Sequence, residues 1–165
     1  MITWEIYNEK EHKEIDQWIL QRYSSNSGLI NEFALFYEPL SKIVKWYHDN
    51  PNQMSNLFDL ILVAREKNKI IGFIIINYFT ENNKKTIGIN PIVVEPNLIG
   101  IGYGTKMIKD IISKKGKIFD MDPNDLYVTV SVNNDMANKM FQALSFKIVG
   151  YSPNNDFIYY TYDLR

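Results

Sequence analysis

The order of apolar periodicities along the 165 residues predicts an α+β (mixed α/β) fold, a central and mostly antiparallel mixed sheet flanked by about four helices. Three observations carry this. The β-rich runs cluster in hairpin-like pairs, only one or two helical crossovers separate them, and a glycine-punctuated loop joins one strand to a helix past the middle of the chain. A doubly wound parallel sheet would instead alternate strand and helix throughout.

The elements follow in order. Ile2 to Tyr7 alternates enough to be a first strand. From Glu11 to Tyr23, residues Ile15, Trp18, Ile19 and Tyr23 fall on one helical face, and Ser24-Ser25-Asn26-Ser27-Gly28 breaks the pattern. A second helical region spans Glu32 to Asp49, bent or divided by Pro39. Phe58 to Glu66 and Lys69 to Thr80 read as strands joined by a Lys67-Asn68 hairpin turn. After a polar turn over Glu81 to Lys85, Ile87 to Val94 reads as a buried strand. Met107, Ile108, Ile111 and Ile112 then form the stripe of a helix, followed by a polar connection from Lys114 to Asn124. Leu126 to Val132 alternates as a strand, and Asn133-Asn134-Asp135 offers cap-type residues to a short helix ending near Leu144. Phe146 to Tyr151 and Phe157 to Leu164 flank Ser152 to Asp156 as a terminal hairpin.

Composition bounds the function. One domain over 1–165 is the expectation at this length, with 45% hydrophobic and 22% charged residues near globular averages. No stretch reads as a membrane span, and the opening Met1-Ile2-Thr3-Trp4-Glu5 has no basic segment before an apolar one, so a cytoplasmic protein is expected. A net charge of −1 with scattered Lys and Arg argues against nucleic acid as a partner. With no cysteine, and only His12 and His48 as histidines, no metal site is expected.

The chemistry concentrates in Glu95-Pro96-Asn97-Leu98-Ile99-Gly100-Ile101-Gly102-Tyr103-Gly104-Thr105. A strand, a glycine loop and a helix N-terminus together make an anion seat, because backbone N–H groups there lack intrahelical partners and the helix dipole favours negative charge. The order Gly104-Thr105-Lys106 argues against a P-loop, and the spacing Gly100-x-Gly102-x-Gly104 against a dinucleotide fingerprint.

Two separated segments resemble one family. Val94-Glu95-Pro96 followed by Ile99 to Gly104 resembles the Gln/Arg-x-x-Gly-x-Gly/Ala signature of the GNAT family of N-acetyltransferases. Val130-x-x-x-Asn134-x-x-Ala137-x-x-x-Phe141-x-x-x-Ser145-Phe146 resembles that family's second motif, and the two together span Gly88 to Tyr151. The resemblance implies a strand with a bulge that splays from its neighbour and admits the pantetheine arm of acetyl-CoA. It implies backbone contacts from Ile92, Val93 and Val94 to that arm. Ile99, Gly100, Ile101, Gly102, Tyr103, Gly104 and Thr105 would wrap the pyrophosphate, and Asn134, Ala137 and Phe141 would line the opposite wall.

Three positions depart from the pattern. Ile99 stands where Gln or Arg is usual, Ser145 where glycine is usual, and Phe141 where a tyrosine often protonates the departing thiolate. Gly88-Ile89-Asn90, with Pro96-Asn97 beyond, is similar to the central strand of aminoglycoside 6′-acetyltransferases. That subgroup's aspartates would fall at Asn90 and near Thr129, both neutral here, which argues against a polycationic acceptor.

The resemblance implies transfer of an acetyl group from acetyl-CoA, as co-substrate and without a metal, to a primary amine on a small molecule or peptide by direct attack. The alternative is a catalytically weak CoA-binding regulatory module of the same fold. Catalytic candidates are Asn90, Tyr103 and Tyr151, in a chain with eleven tyrosines. Acceptor selection is expected from Glu32, Glu38, Trp46, Tyr47 and Asp49 and from the aromatic run Phe157 to Tyr162. Family enzymes often dimerise, so a homodimer is admitted, with no residue singling out an interface.

Overall fold

The structure, a computed structural model, describes residues 1–7, 14, 15, 17, 18 and 60–165, without the side chains of Glu81, Asn90 and Pro91. The chain divides into two compact units, Met1–Glu5 with Phe58–Arg165, and Ile6–Leu57. Of the second, residues 14, 15, 17 and 18 are helical, with Ile15 and Trp18 buried. The rest of the helical region expected over 11–23, all of that expected over 32–49, and His12, Glu32, Glu38, Trp46, Tyr47, His48 and Asp49 lie outside the described residues.

The first unit is a seven-stranded mixed sheet in the order β1-β2-β3-β4-β5-β7-β6. The strands are β1 (Ile2–Ile6), β2 (Leu60–Glu66), β3 (Lys69–Glu81), β4 (Lys84–Val94), β5 (Asp125–Ser131), β6 (Lys147–Tyr151) and β7 (Phe157–Asp163). β4 and β5 pair in parallel, while β2–β3, β3–β4, β5–β7 and β6–β7 are antiparallel. Two α-helices are complete among the described residues, α1 (Tyr103–Ile118) and α2 (Asp135–Ala143), against the four expected for the whole chain.

Local chemistry accounts for the turns. Lys67 and Asn68 both have positive φ, as do Asn82 and Asn83, which is the two-residue hairpin geometry whose twist matches the flanking strands. The second turn is therefore two residues long and not five, and β4 begins at Lys84 instead of Ile87. Its early start is pinned by Asn124 Oδ1, which accepts from Lys85 N–H at 2.9 Å, and by Thr86 Oγ1 donating to Asp125 Oδ1 at 2.6 Å.

One face of the sheet carries the core. Leu126, Val128 and Val130 alternate inward along β5, and with Ile74, Ile76, Ile87, Ile89 and Tyr160 they pack against Met107, Ile108 and Ile111 of α1 and Phe141 of α2. Each such side chain contributes about 1.5–3 kcal/mol by leaving water. Helix α1 runs on through Gly116 to Ile118, where a polar connection was expected. Ile112, Ile118 and Phe119 continue the apolar face. The lysines that read as a break are tethers: Lys114 Nζ donates to Ile2 O and Asp110 Oδ2, both at 2.9 Å, and Lys115 Nζ to Leu164 O. Trp4 Nε1 closes the same contact by donating to Asp110 Oδ2 at 2.7 Å.

The C-terminus of α2 is a Schellman turn, with Phe146 N–H on Phe141 O and Ser145 N–H on Gln142 O, each at 3.0 Å. Ser145 holds the left-handed position at φ 67°. Ser145→Gly is expected to stabilise the fold by about 1 kcal/mol, because a Cβ is unfavourable there. Urea melts check this, and an unchanged midpoint would contradict it.

Candidate functional site

β4 and β5 begin side by side and then part. Their parallel pairing runs from Thr86↔Asp125 to Ile89↔Val128, while β4 continues to Val94 and β5 to Ser131. The cause lies on the other edge of β4. Its register with β3 passes from Ile76↔Ile89 to Ile74↔Ile92, which leaves Asn90 and Pro91 as a bulge opposite Ile75. Pro91 has no N–H to give to a ladder, and proline inside a sheet is confined to edges and bulges. The bulge turns β4 away from β5, and the sheet forks in its middle.

Backbone groups on the fork are set by strand alternation. Glu95 N–H donates to Ile71 O at 2.7 Å, so the neighbouring polar groups of Val94 and Ile92 turn toward the β5 side. Val93 is different: its carbonyl lies against Gly72 on β3, and its side chain is buried. Of the three residues expected to offer backbone to a ligand, Ile92 and Val94 are aimed into the fork and Val93 belongs to the β3 ladder.

The glycine loop follows. Pro96–Leu98 forms a short 3-10 turn, and Ile99 N–H is used on Pro96 O at 3.3 Å. Gly100 and Gly102 have φ of 81° and 94°, and a Cβ on either would meet nothing within 4 Å, so these glycines are required by backbone conformation beside open space. Gly102 is the N-cap of α1, without a side-chain cap, and the first turn holds no acidic residue. The first intrahelical bond is Lys106 N–H to Gly102 O at 3.0 Å, which leaves the N–H groups of Tyr103, Gly104 and Thr105 directed out of the helix end. The helix starts earlier than the expected loop boundary at Thr105. Gly104 lies within its first turn, where a Cβ would stand 3.1 Å from Met140 Sδ on α2. Ile101 is 66% exposed on the loop.

Tyr103 is engaged through its hydroxyl by a neighbouring strand. Its hydroxyl donates to Glu66 Oε2 at 2.7 Å, Lys106 Nζ donates to Glu66 Oε1, and the ammonium sits 5.1 Å from the Tyr103 ring centroid. The hydrogen bonds from Lys106 and then Tyr103 hold the Glu66 carboxyl below its usual range, and the bond to Glu66 raises the Tyr103 phenol. A carboxyl whose folded pKa is depressed contributes stability above its unfolded value, near pH 4.5, and loses it as pH falls through the folded value. Glu66→Gln is therefore expected to lose less stability than the parent on acidification below about pH 4.5. Parallel acid limbs in urea titrations would contradict it.

The second motif is partly structural. Asn134 is the N-cap of α2, its Oδ1 accepting from Ala137 N–H at 3.1 Å. Phe141 is 2% exposed, its ring 5.0 Å from Phe146 and 5.9 Å from Tyr160 between centroids. Its side chain is packed in the core. Tyr151 is 53% exposed at the end of β6, two strands from β5 and hence about 10 Å away. Asn90 lies in the bulge by its backbone. Thr129 pairs with Tyr159 on the face away from α1 and α2, beside a row in which Tyr127 stands 5.8 Å from Phe79 and 5.9 Å from Tyr159.

At the opposite end of the sheet a cavity of about 380 Å³ is lined by Lys84, Asp125, Lys147, Asp163 and Arg165 among others. Arg165 pairs there with Asp163 and lowers its carboxyl to about 2. This cavity does not touch the fork. Among the described residues no group of three or more His, Asp and Glu side chains is placed to hold a metal, and no helix is long and apolar enough to cross a membrane.

The sheet forks after Ile89 and Val128, and the β4 arm leads through the glycine loop to an uncapped helix N-terminus, whose free N–H groups favour an anion. The model of the Acetyltransferase (GNAT) family matches residues 9–146, and the chain belongs to that family. Among solved structures it is similar to the spermidine N-acetyltransferase of Vibrio cholerae in complex with CoA and spermine, at 14% identity and TM-score 0.68, over 99% of this chain and 95% of that one. It is similar to the aminoglycoside N(6′)acetyltransferase of Legionella pneumophila at 15% identity and TM-score 0.69, over 99% and 92%. The Campylobacter jejuni N-acetyltransferase PseH in complex with acetyl coenzyme A aligns at 19% identity and TM-score 0.61, over 99% of both. At such identities these likenesses establish the fold. No curated protein sequence matches the chain.

Proposed function

We propose that the chain is an N-acetyltransferase that moves an acetyl group from acetyl-CoA to a primary amine by direct attack, in the cytoplasm and without a metal. The observation that supports this most is the fork, which parts after Ile89 and Val128 and has the uncapped N-terminus of α1 at the end of its β4 arm. In this reading the pyrophosphate sits on the outward N–H groups of Tyr103, Gly104 and Thr105, with Gly100 and Gly102 allowing close approach. The pantetheine arm runs between the strands along the backbone of Ile92 and Val94.

Attack requires a neutral amine, and the tetrahedral oxyanion requires a donor. Backbone N–H groups beside the Asn90–Pro91 bulge supply the donor in this reading. The leaving thiolate, with an ordinary pKa of about 8.5, can take its proton from water. Phe141 has none to give, Tyr103 is committed to Glu66, and Tyr151 stands two strands away. In this reading the acceptor amine is carried on a body with little positive charge, because Asn90 and Thr129 are neutral at the two positions where the aminoglycoside subgroup carries aspartates.

The test is release of free CoA thiol from acetyl-CoA across a library of primary amines. Amine-dependent release well above background hydrolysis is expected. Tight CoA binding with no acceleration by any amine would replace this reading by a regulatory CoA-binding module.

A further inference from the structure

The fork has a brace. Its last closed row is Ile89 opposite Val128, and on the far side of Val128 the β7 partner is Tyr160. Tyr160 is fully buried, and its hydroxyl does not stay within the sheet. It donates to Asn138 Oδ1 on α2 at 2.7 Å and accepts from Gln142 Nε2 at 3.3 Å. Asn138 is itself 9% exposed. Its amide nitrogen donates to Ser131 O and to Asn134 O, both at 2.9 Å. Ser131 is the last residue of β5, at the tip of the arm that β4 has left. One chain of hydrogen bonds therefore runs from the row where the strands part to the end of the free arm.

The chemistry is unusual for its place. The surrounding cluster is apolar, with Val128, Val130, Phe141 and Phe146 as neighbours, and a phenylalanine and a leucine would fill these two positions without polar atoms. The amide oxygen, both amide N–H groups and the phenol as donor and acceptor are each used, so the network is satisfied and directional. A directional network fixes geometry where apolar packing would fix only volume. Beyond Val128 the β5 arm has β7 on one edge and no β4 on the other, so its angle is set by β7 and by this grip from α2.

We propose that Tyr160 and Asn138 are positioning residues that hold the β5 arm at the width the pantetheine arm of CoA needs, an inference that rests on the acetyl-CoA reading above. They do not touch the reacting atoms; they act through Ser131 and the β5–α2 loop. The experiment is calorimetric titration of the full chain and of Tyr160→Phe with two probes: CoA, and 3′-phosphoadenosine 5′-diphosphate, the part of CoA without its pantetheine arm. Tyr160→Phe is expected to weaken CoA about tenfold while the fragment changes by less than about twofold. The double variant Asn138→Leu with Tyr160→Phe removes the unpaired polar atoms. It is expected to recover the thermal midpoint without recovering CoA affinity.

The outcomes separate. Unchanged CoA affinity in both variants, or equal weakening of both probes, overturns the brace while leaving the acetyl-CoA reading intact. Failure of the parent chain to bind CoA overturns that reading and the brace with it.

Discussion

Gly72→Ala is expected to destabilise the fold by about 3 kcal/mol or more, a large share of the roughly 5–15 kcal/mol that a domain has in reserve. A Cβ built at Gly72 would lie 2.1 Å from Val93 O and 3.2 Å from Met107 Cε. The methionine can move; the carbonyl cannot, because β3 and β4 are paired through Gly72↔Val94 and Phe73↔Val93 on either side of the contact. Relief requires the end of β4 to shift, and that end leads into the glycine loop. Urea unfolding gives the stability and CoA titration gives the site, and both are expected to fall together. A variant as stable as the parent would mean that the β3–β4 approach is looser than described.

The second large effect is on ligand binding. Gly102→Val is expected to lower acetyl-CoA affinity about a hundredfold, the equivalent of one or two charge-assisted hydrogen bonds at the helix end. The residue has φ 94°, so any side chain adds about 1–2 kcal/mol of backbone strain, and the valine would project into open space at the N-cap of α1. Strain and obstruction are distinguishable. Gly102→Ala shares the strain with a smaller obstruction, and is expected to lose similar stability with a smaller loss of affinity. Unchanged affinity in Gly102→Val would remove the loop from the site.

Much of this was legible in the residues themselves. Lys67-Asn68 marked a hairpin because a short polar pair separates two β-rich runs, and Asn134 was readable as a cap because its amide can reach a free N–H three residues on. The glycine loop was readable because Gly100 and Gly102 sit between a β run and a helical stripe. One feature was misread for a definite reason, and two others make contacts that no local pattern shows. Gly116 and its flanking lysines suggested a break, but Ile118 and Phe119 had core to bury against, and tertiary burial outweighs a weak local preference. The motif that places Phe141 on the cofactor wall does not show that its ring also meets Phe146 and Tyr160. Nor does periodicity show that Tyr103, a catalytic candidate at the start of α1, donates to Glu66, 37 residues away at the end of β2.

The fork itself had one local signal. Pro91 in the middle of a β run argues for a bulge at that point, and the bulge is what separates β4 from β5. The brace had none, since Tyr160 and Asn138 meet only after β7 has paired with β5 and α2 has docked on the same face.

Calorimetric binding of acetyl-CoA to the full chain, with desulfo-CoA and ATP titrated alongside, tests the central claim most directly. Micromolar binding of both CoA compounds with none of ATP is the predicted result; failure to bind either CoA compound would contradict it and leave the fork and its glycine loop as features of the fold alone.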